Sequence, residues 1–188
     1  NAPLAGRKGG TMEGGMRVPM IIRWPGQIPA GSLTSEITST MDFLPTFCAI
    51  TGAELPNHPI DGYDISQIIR GEEGAKSRYE AFYYYRRRQL QAVRKGGWKL
   101  HLELGETHPN WTTPESLGDG RPAMLVNLGT DLQETTDLSE KHPEVFNELQ
   151  ALAKEGMNRF GNDAQQGFAQ RPALTLDTSQ PMVLERAR

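Results

Sequence analysis

Cysteine is almost absent from this sequence of 188 residues. Cys48 is the only one, so the chain can form neither an intrachain disulfide nor a cysteine-based zinc site. Because apolar residues flank it in the stretch FCAIT, we expect Cys48 to be a buried small hydrophobe. Histidine is also scarce, and no two histidines have the spacing of a metal-ligand pair on a helix or hairpin. We expect surface or turn positions for all four, which are His58, His101, His108 and His142.

The sequence has neither an excess of positive charge nor a long apolar run. It has 20 basic and 23 acidic residues and a net charge of −3, which argues against a general nucleic-acid-binding protein. We therefore interpret the basic run at residues 86–88 as an exposed strand end. The longest apolar runs are too short to cross a bilayer, and the first residues show no targeting signal. We expect neither nucleic-acid nor membrane partners, and the first residues resemble the middle of a longer protein.

Nucleotide-binding and EF-hand motifs are missing as well. The glycine-rich residues 6–19, GRKGGTMEGGMRVP, match neither the G-x-x-x-x-G-K-[ST] loop nor the G-x-G-x-x-G fingerprint. Asp61 and Asp64 lie in the stretch IDGYD, without the further carboxylates of an EF-hand loop. We interpret this stretch as a turn that the aspartate side chains stabilise.

The glycine-rich residues 6–19 do hold groups that an anion site needs. Glycine lets the backbone approach an anion and expose its N–H groups. Lys8 adds a positive charge, and Thr11 lies close by in the sequence. Dense glycine is also typical of solvated loops. On residue types alone a solvated loop is the favoured interpretation, and an anion site is the alternative.

The first 71 residues contain one predicted strand and one predicted helix. The apolar run VPMIIRWPG, residues 18–26, predicts a short buried strand. Residues 35–52 predict a helix that Thr40 or Asp42 caps and that Gly52 ends. Its apolar residues share one face: Phe43, Leu44, Phe47 and Ile50.

Antiparallel strands are predicted for residues 82–104. The sequence KGG at 95–97 indicates a hairpin turn between two of them. In the second strand, Trp98 and three leucines alternate with Lys99, His101 and Glu103. This alternation predicts one buried and one solvated face, with the lysine and the histidine in water.

A loop, a further strand and the clearest helix follow. Residues 105–122 predict a loop, and AMLVNL predicts a short strand. Residues 138–156 show a helical apolar stripe, with Pro143 in the first turn. The chain therefore divides near residue 71 into the edge of an α/β sheet and an α+β unit. We expect units at residues 1–71 and 72–161 and an extended tail at 162–188.

Five segments carry a resemblance to a known family through their order and spacing. They are PLAGRKGGTMEGGMRVPMIIRWPGQIPAG, STMDFLPTFCAITGAELP, IDGYDISQIIRG, LQAVRKGGWKLHL and LVNLGTDLQETTDLSEKHPEVFNELQ. Together they resemble the C-terminal part of the sulfatases, the arylsulfatase-type members of the alkaline-phosphatase-like superfamily. The resemblance spans residues 3 to about 150. It implies the C-terminal edge of an alkaline-phosphatase-like α/β domain, followed by a small α+β subdomain with an antiparallel sheet and one long helix.

The resemblance also implies a chemistry. Sulfatases hydrolyse sulfate esters with a formylglycine made from Cys or Ser in a C/S-x-P-x-R motif, and with a calcium ion. In the family segment G-K-G-[ST]-x-x-E-G-G the lysine contacts sulfate, and here that lysine is Lys8. Lys8 is thus expected to bind sulfate and stabilise the leaving oxygen, and Thr11 is a further substrate-binding candidate. Four more matching residues are expected to shape the loop and anchor the strand: Glu13, Gly14, Gly15 and Arg17.

Other family parts do not match this sequence. It contains no C/S-x-P-x-R motif, and the family's calcium ligands are expected upstream of residue 1, so calcium is expected only in a full-length parent. We expect this chain alone to be inactive. The resemblance implies a sulfated small molecule or glycan as the parent's substrate and a periplasmic or secreted location.

Two alternatives remain open from the sequence. The parent could be a phosphonate or phosphate monoester hydrolase of the same superfamily. The chain could instead be a non-catalytic glycan-binding or interaction domain, with Trp24, Trp98 or Trp111 as a stacking surface. Trp98 is in phase with the buried leucines, so burial is the favoured interpretation there. The apolar face of the first 70 residues is expected to promote self-association.

Overall fold

The computed structural model describes residues 2–105, 121–163 and 165–171. Its strands are β1 (Phe82–Arg86), β2 (Gln89–Lys95), β3 (Trp98–His101) and β4 (Met124–Asn127). Its α-helices are α1 (Glu13–Met16), α2 (Phe43–Thr51), α3 (Ser66–Arg70) and α4 (Pro143–Phe160), and a 3₁₀ turn spans Thr40–Asp42. The α/β fold class expected from the sequence is confirmed, with an antiparallel sheet and one long helix in the second part of the chain.

The four strands form one antiparallel sheet in the order β1-β2-β3-β4. The predicted hairpin is present: Lys95 pairs with Trp98, and Gly96 takes a positive φ of 56° in the turn. The strand predicted from AMLVNL is β4, which pairs with β3. Arg87 and Arg88 are exposed in the turn after β1. The predicted loop at 105–122 lies mostly outside the described residues.

Helix α4 covers one face of this sheet. It begins at Pro143, as predicted, but continues past Gly156 to Phe160. Leu149 and Ala153 are buried from the helix side. The two contact clusters that join helix and sheet contain Leu90, Val93 and Ala153 in one, and Leu100, Leu125 and Leu149 in the other. The apolar face predicted from the alternation in β3 is therefore the face that packs on α4.

The second face of the sheet is also buried, which corrects the expectation from the sequence. Lys99 and His101, expected in water, are both 0% exposed. Two segments distant in sequence cover them, one containing Thr11 and Glu13 and the other containing Glu134. The polar residues of β3 therefore face a second layer of protein that its alternation alone could not reveal.

The strand predicted at residues 18–26 does not form. Residues 17–24 have no regular secondary structure, and Val18 and Ile21 are 76% and 95% exposed. A β-strand requires a neighbour for its backbone hydrogen bonds, and no described residue pairs with this segment. The prediction was wrong for this chain because apolar character alone does not supply a partner strand.

Helix α2 forms between the predicted limits, with Asp42 at its N-cap position and Gly52 at its C-cap. It starts at Phe43, after a 3₁₀ turn that Ser39 and Asp42 close with a reciprocal capping box. It ends at Gly52, which takes the left-handed φ of 74° expected of a helix stop. Its predicted inward face is instead largely open, since Leu44 and Phe47 are exposed. Cys48 is buried, as predicted.

Asp42 connects this helix to the segment that leads into β1. Its carboxylate is 0% exposed and accepts hydrogen bonds from the Tyr63 N–H at 2.8 Å and the Tyr79 hydroxyl at 2.6 Å. Burial and the adjacent Asp42 carboxylate raise the pKa of Tyr79, so it keeps its proton and donates. Gly62 is required here because a Cβ would lie 1.9 Å from the carbonyl oxygen of Met41.

Within the described residues, no helix is long and apolar enough to cross a membrane.

Gly156 offers a test of the packing between helix and sheet. An alanine Cβ at this position would lie 2.5 Å from Cε1 of the Tyr83 ring. Overpacking of this kind costs about 1–3 kcal/mol, against a gain of about 1 kcal/mol in helix propensity. We expect Gly156→Ala to lower the free energy of unfolding by roughly 1 kcal/mol in denaturant titrations. Glu155→Ala, at the exposed neighbouring position, should change it by less than about 0.5 kcal/mol. A stabilised Gly156→Ala variant would contradict the packing described here.

Candidate functional site

The glycine-rich segment forms a closed loop, which we call the lysine loop (residues 5–17). The Gly10 N–H donates to the carbonyl oxygen of Arg7 at 3.0 Å, so residues 7–10 form a turn. The Gly14 N–H donates to the carbonyl oxygen of Ala5 at 2.7 Å and closes the base of the loop. Residues 6–9 are exposed, as expected of the solvated loop that residue types favour. The backbone is hydrogen-bonded and returns on itself.

Two glycines of the loop are required by close backbone approach. A Cβ on Gly14 would lie 2.5 Å from the carbonyl oxygen of Ala5, and one on Gly15 would lie 2.4 Å from that of Gly10. Real Cβ atoms do not occupy such positions, because backbone atoms cannot move aside as a flexible side chain can. The pair Gly14-Gly15 thus lets α1 pack directly on the backbone of residues 5–10.

Lys8 lies in the turn of the lysine loop. It is exposed, and its ammonium makes no hydrogen bond or ion pair with any residue that the structure describes. The neighbouring Arg7 is also exposed, but its carbonyl belongs to the turn. The loop therefore carries an exposed Lys8 ammonium, without a partner in the described residues, on a backbone that its own hydrogen bonds hold in place.

Thr11 is placed differently from Lys8. It is 1% exposed, its hydroxyl donates to Oε1 of Gln91 at 3.2 Å, and its carbonyl accepts from Nζ of Lys99 at 2.8 Å. Both polar groups thus attach the loop to the sheet. A direct contact of Thr11 with substrate stays a prediction.

Glu13 is the main attachment of the loop to the sheet. Its side chain is fully buried, and Oε1 accepts hydrogen bonds from Lys99 and from the Tyr84 hydroxyl, both at 2.9 Å. Oε2 accepts from Nη1 of Arg94 at 3.2 Å and lies 3.9 Å from Nε of Arg17. The carboxylate thus has a donor from β1, β2 and β3, which agrees with the loop-shaping role expected from the sequence.

Glu134 completes a buried cluster, which we call the anchor cluster (Glu13, Tyr84, Lys99, His101 and Glu134). Its Oε1 accepts the backbone N–H of Glu13 at 2.6 Å, and its Oε2 lies 2.9 Å from Nζ of Lys99 and 2.6 Å from Nε2 of His101. Lys99 therefore lies between two carboxylates, one from the loop and one from the segment after β4. Its ammonium also lies 4.3 Å from the centre of the Tyr84 ring.

The protonation states follow from these contacts. Burial alone would raise the pKa of Glu134, but the hydrogen bond from His101 and the charge of Lys99 outweigh it and lower the pKa to about 2. Burial lowers the pKa of His101, so the imidazole is neutral at pH 7. An ionised carboxylate only accepts hydrogen bonds, so the proton of His101 lies on Nε2. Its Nδ1 is buried and has no partner among the described residues.

Sequence reasoning found the loop but missed most of the anchor cluster. Lys99 and His101 were assigned to solvent, and Glu134 was not singled out at all. No local pattern marks them, because Lys99 and Glu13 are 86 positions apart and Glu134 lies outside any regular element. One signal could have suggested the pairing of Lys99 with Glu13. The polar face of β3 needs a partner, and the glycine-rich loop contains an acidic residue.

The remaining candidates stay where the sequence placed them or lie outside the described residues. Asp64 accepts from the N–H of Ser66 at 2.8 Å, which confirms a turn. His58 is exposed, and His142 precedes α4 with its ring 4.8 Å from that of half-buried Trp98. His108 and Trp111 are not among the described residues. Within the described ranges, no group of three or more His, Cys, Asp or Glu could hold a metal ion.

Comparison with known proteins gives two matches to family models. The model described as "N-sulphoglucosamine sulphohydrolase, C-terminal" matches residues 8–100. The model described as "C-terminal region of aryl-sulfatase" matches residues 77–180. The first match includes residues 8–17 of the lysine loop, β1, β2 and all of β3 except His101, and the second includes the whole sheet and α4.

Individual relatives agree with these matches. Arylsulfatase A of Bos taurus is 35% identical over 173 residues, which cover 86% of this chain and 34% of the relative. Steryl-sulfatase of Mus musculus is 42% identical over 175 residues, covering 82% and 28%. The crystal structure of the PsFucS1 sulfatase from Pseudoalteromonas sp. superposes with a TM-score of 0.69 at 26% identity, covering 86% of this chain and 34% of that one. The chain thus spans about a third of the length of these relatives.

The anchor cluster predicts a specific loss of stability in acid. The carboxyl of Glu134 has a pKa of about 2 in the folded protein against 4.5 when unfolded. Its contribution is therefore complete above pH 4.5 and is lost as the pH falls towards 2, on the order of 3 kcal/mol at about 1.4 kcal/mol per pKa unit. We expect Glu134→Gln to flatten the pH dependence of the unfolding free energy in this window. The exposed Glu140→Gln should leave the profile unchanged, and an equally steep profile for both variants would contradict the assignment.

Proposed function

This chain belongs to the sulfatase family, in which it corresponds to the C-terminal region, and we propose that its full-length parent hydrolyses sulfate esters with Lys8 as a sulfate-binding residue. The observation that supports this role is the exposed ammonium of Lys8, which pairs with no residue in the described ranges, on a loop fixed by the anchor cluster. Because the chain covers about a third of its relatives, the activity belongs to the proposed parent and not to these residues alone.

The chemistry required of Lys8 is electrostatic. A sulfate ester carries a negative charge, and further charge develops on the ester oxygen as the bond between sulfur and oxygen breaks. A compact ammonium placed in advance near that oxygen stabilises the transition state more than the ground state. This role requires a cation that is available to the substrate and held in a fixed position. Lys8 is exposed and has no partner among the described residues, and the hydrogen-bonded loop holds its backbone in place.

The nucleophile and the metal are assigned to the rest of the parent. The proposal includes a formylglycine as nucleophile and a calcium ion that supplies positive charge to the sulfate oxygens. This sequence has no C/S-x-P-x-R motif, and the described residues offer no ligand group for a metal.

We propose that the substrate is a sulfate ester, without assigning the alcohol that carries the sulfate. The relatives are named for aryl and steryl sulfates, so their names share the sulfate and differ in the alcohol that carries it. Lys8, as proposed, contacts only the common part. A sulfated small molecule or glycan fits this arrangement, and by the same family resemblance we propose a periplasmic or secreted location.

The role of Lys8 is tested by paired variants of the full-length parent. We expect Lys8→Ala to lower kcat/KM for 4-nitrophenyl sulfate by about 10²–10³-fold, the usual cost of losing one preorganised charge-stabilising group. Arg7→Ala, at the adjacent exposed cation, should cost less than about threefold because its side chain has no role in the proposed site. Equal losses in the two variants would count against Lys8.

The same assay with 4-nitrophenyl phosphate separates the proposal from its alternative. A phosphate monoester or phosphonate hydrolase would prefer the phosphate or phosphonate ester to the sulfate. A parent enzyme with that preference would overturn the assignment to sulfate esters, even if Lys8→Ala were inactive.

The isolated chain is expected to show no turnover. It offers a binding cation but no nucleophile motif, and one charge-stabilising group without an activated nucleophile does little to speed the attack of water. We expect no hydrolysis of 4-nitrophenyl sulfate by the purified 188-residue chain above the rate in buffer. Measurable activity that is lost in Lys8→Ala would contradict the assignment of the nucleophile to another part of the parent.

A further inference from the structure

We infer that Lys99, Tyr84 and Glu134 are positioning residues for Lys8, acting through the buried carboxylate and backbone of Glu13. This inference rests on the proposed function of Lys8. None of the three touches the exposed turn that carries Lys8. They act on the base of the lysine loop, and the loop transmits their position to its apex.

The contacts that hold the loop converge on Lys99. Its ammonium donates to the carbonyl oxygen of Thr11 at 2.8 Å and to Oε1 of Glu13 at 2.9 Å. These two residues lie three and five positions after Lys8. A single buried side chain therefore fixes the loop at a backbone atom and at a side-chain atom, just downstream of Lys8.

The charges make this position well defined. Glu13 is 0% exposed and Glu134 is 3% exposed, and each has a carboxylate oxygen 2.9 Å from the Lys99 ammonium. Without that positive charge, two buried carboxylates would face each other, and one would have to move away or take up a proton. Glu134 lies in the segment after β4, and its hydrogen bond to His101 holds it against β3. Glu13 would keep its contacts with Tyr84 and Arg94 but lose the cation that it shares with Glu134, and any shift of its carboxylate would move the lysine loop.

Tyr84 allows a milder test than Lys99. Its hydroxyl donates to Oε1 of Glu13 at 2.9 Å, the same oxygen that Lys99 contacts. Tyr84→Phe removes one donor and leaves the buried charges paired, so the protein keeps its fold. Lys99→Met removes the ammonium that two buried carboxylates share and leaves Glu13 with only Arg94 and Arg17 as cationic neighbours, so it risks unfolding. A small shift of a catalytic charge is enough to reduce a rate strongly.

The chain contains a matched control next to this position. The hydroxyl of Tyr85 donates to the carbonyl oxygen of Gly161 at 2.8 Å, beyond the end of α4. Tyr85→Phe therefore deletes the same atom, at the adjacent position of the same strand, without touching Glu13. A purely structural role for Tyr84 predicts that the two variants behave alike.

The experiment measures kcat and KM for 4-nitrophenyl sulfate, the inhibition constant of inorganic sulfate, and thermal unfolding, all in the full-length parent. We expect Tyr84→Phe to lower kcat/KM by roughly tenfold and to weaken inhibition by sulfate, because Lys8 is displaced. Tyr85→Phe should lower the unfolding temperature to a similar extent, with less than about a twofold change in kcat/KM. Each tyrosine change is then repeated in a Lys8→Ala background.

The double-mutant cycle decides whether Tyr84 acts through Lys8. If it does, Tyr84→Phe should cost less than about twofold once Lys8 is removed, because the group that it positions is absent. An equal loss with and without Lys8 would overturn the inference, as would equal effects of Tyr84→Phe and Tyr85→Phe on kcat/KM. If Lys8→Ala itself retains full activity, the proposed function fails first. If Lys8→Ala is impaired and Tyr84→Phe is not, only the positioning role fails.

Discussion

The position of Lys99 between the carboxylates of Glu13 and Glu134 is the interaction on which the rest of this structure depends. It joins three parts of the chain that lie far apart in sequence: the glycine-rich loop, strand β3 and the segment after β4. Without it the sheet would have one packed face, on α4, and one face of unpaired polar residues. With the Lys99 contacts in place, the lysine loop packs on this second face of the sheet. The position of the exposed Lys8 thus depends on a buried residue of β3, which itself contributes no exposed group to the candidate site.

The two faces of the sheet are stabilised in different ways. Leucine, valine and alanine residues bury the α4 face, where the hydrophobic effect is strong but tolerates small shifts. The loop face is held by charged hydrogen bonds whose desolvation cost offsets much of their attraction. Their geometry, however, is narrow in distance and direction. The apolar face thus keeps the sheet folded, while the polar face determines where the lysine loop lies.

Local signals in the sequence were sufficient for the hairpin at Gly96, the helix that begins at Pro143 and the stop at Gly52, because each depends on neighbours in the chain. They were insufficient wherever a partner from elsewhere decides the outcome. Lys99 and His101 were placed in water because their acidic partners are 86 and 33 positions away. Residues 18–26 were predicted as a strand because apolar character was taken to imply a pairing partner. Lys8 was found through its family segment, whereas its anchors were visible only in three dimensions.

The separation in sequence between Glu13 and its partners has a consequence for recombination among related proteins. Its donors lie on β1, β2 and β3, all after residue 81, while the loop itself ends near Arg17. A crossover between these points would join a loop from one parent to a sheet from another. Such a chimera would keep every exposed residue of the loop and could still misplace them, since the buried acid and its lysine would no longer have been selected together. The unit of exchange is therefore larger than the glycine-rich motif, and it extends from the loop to the segment after β4.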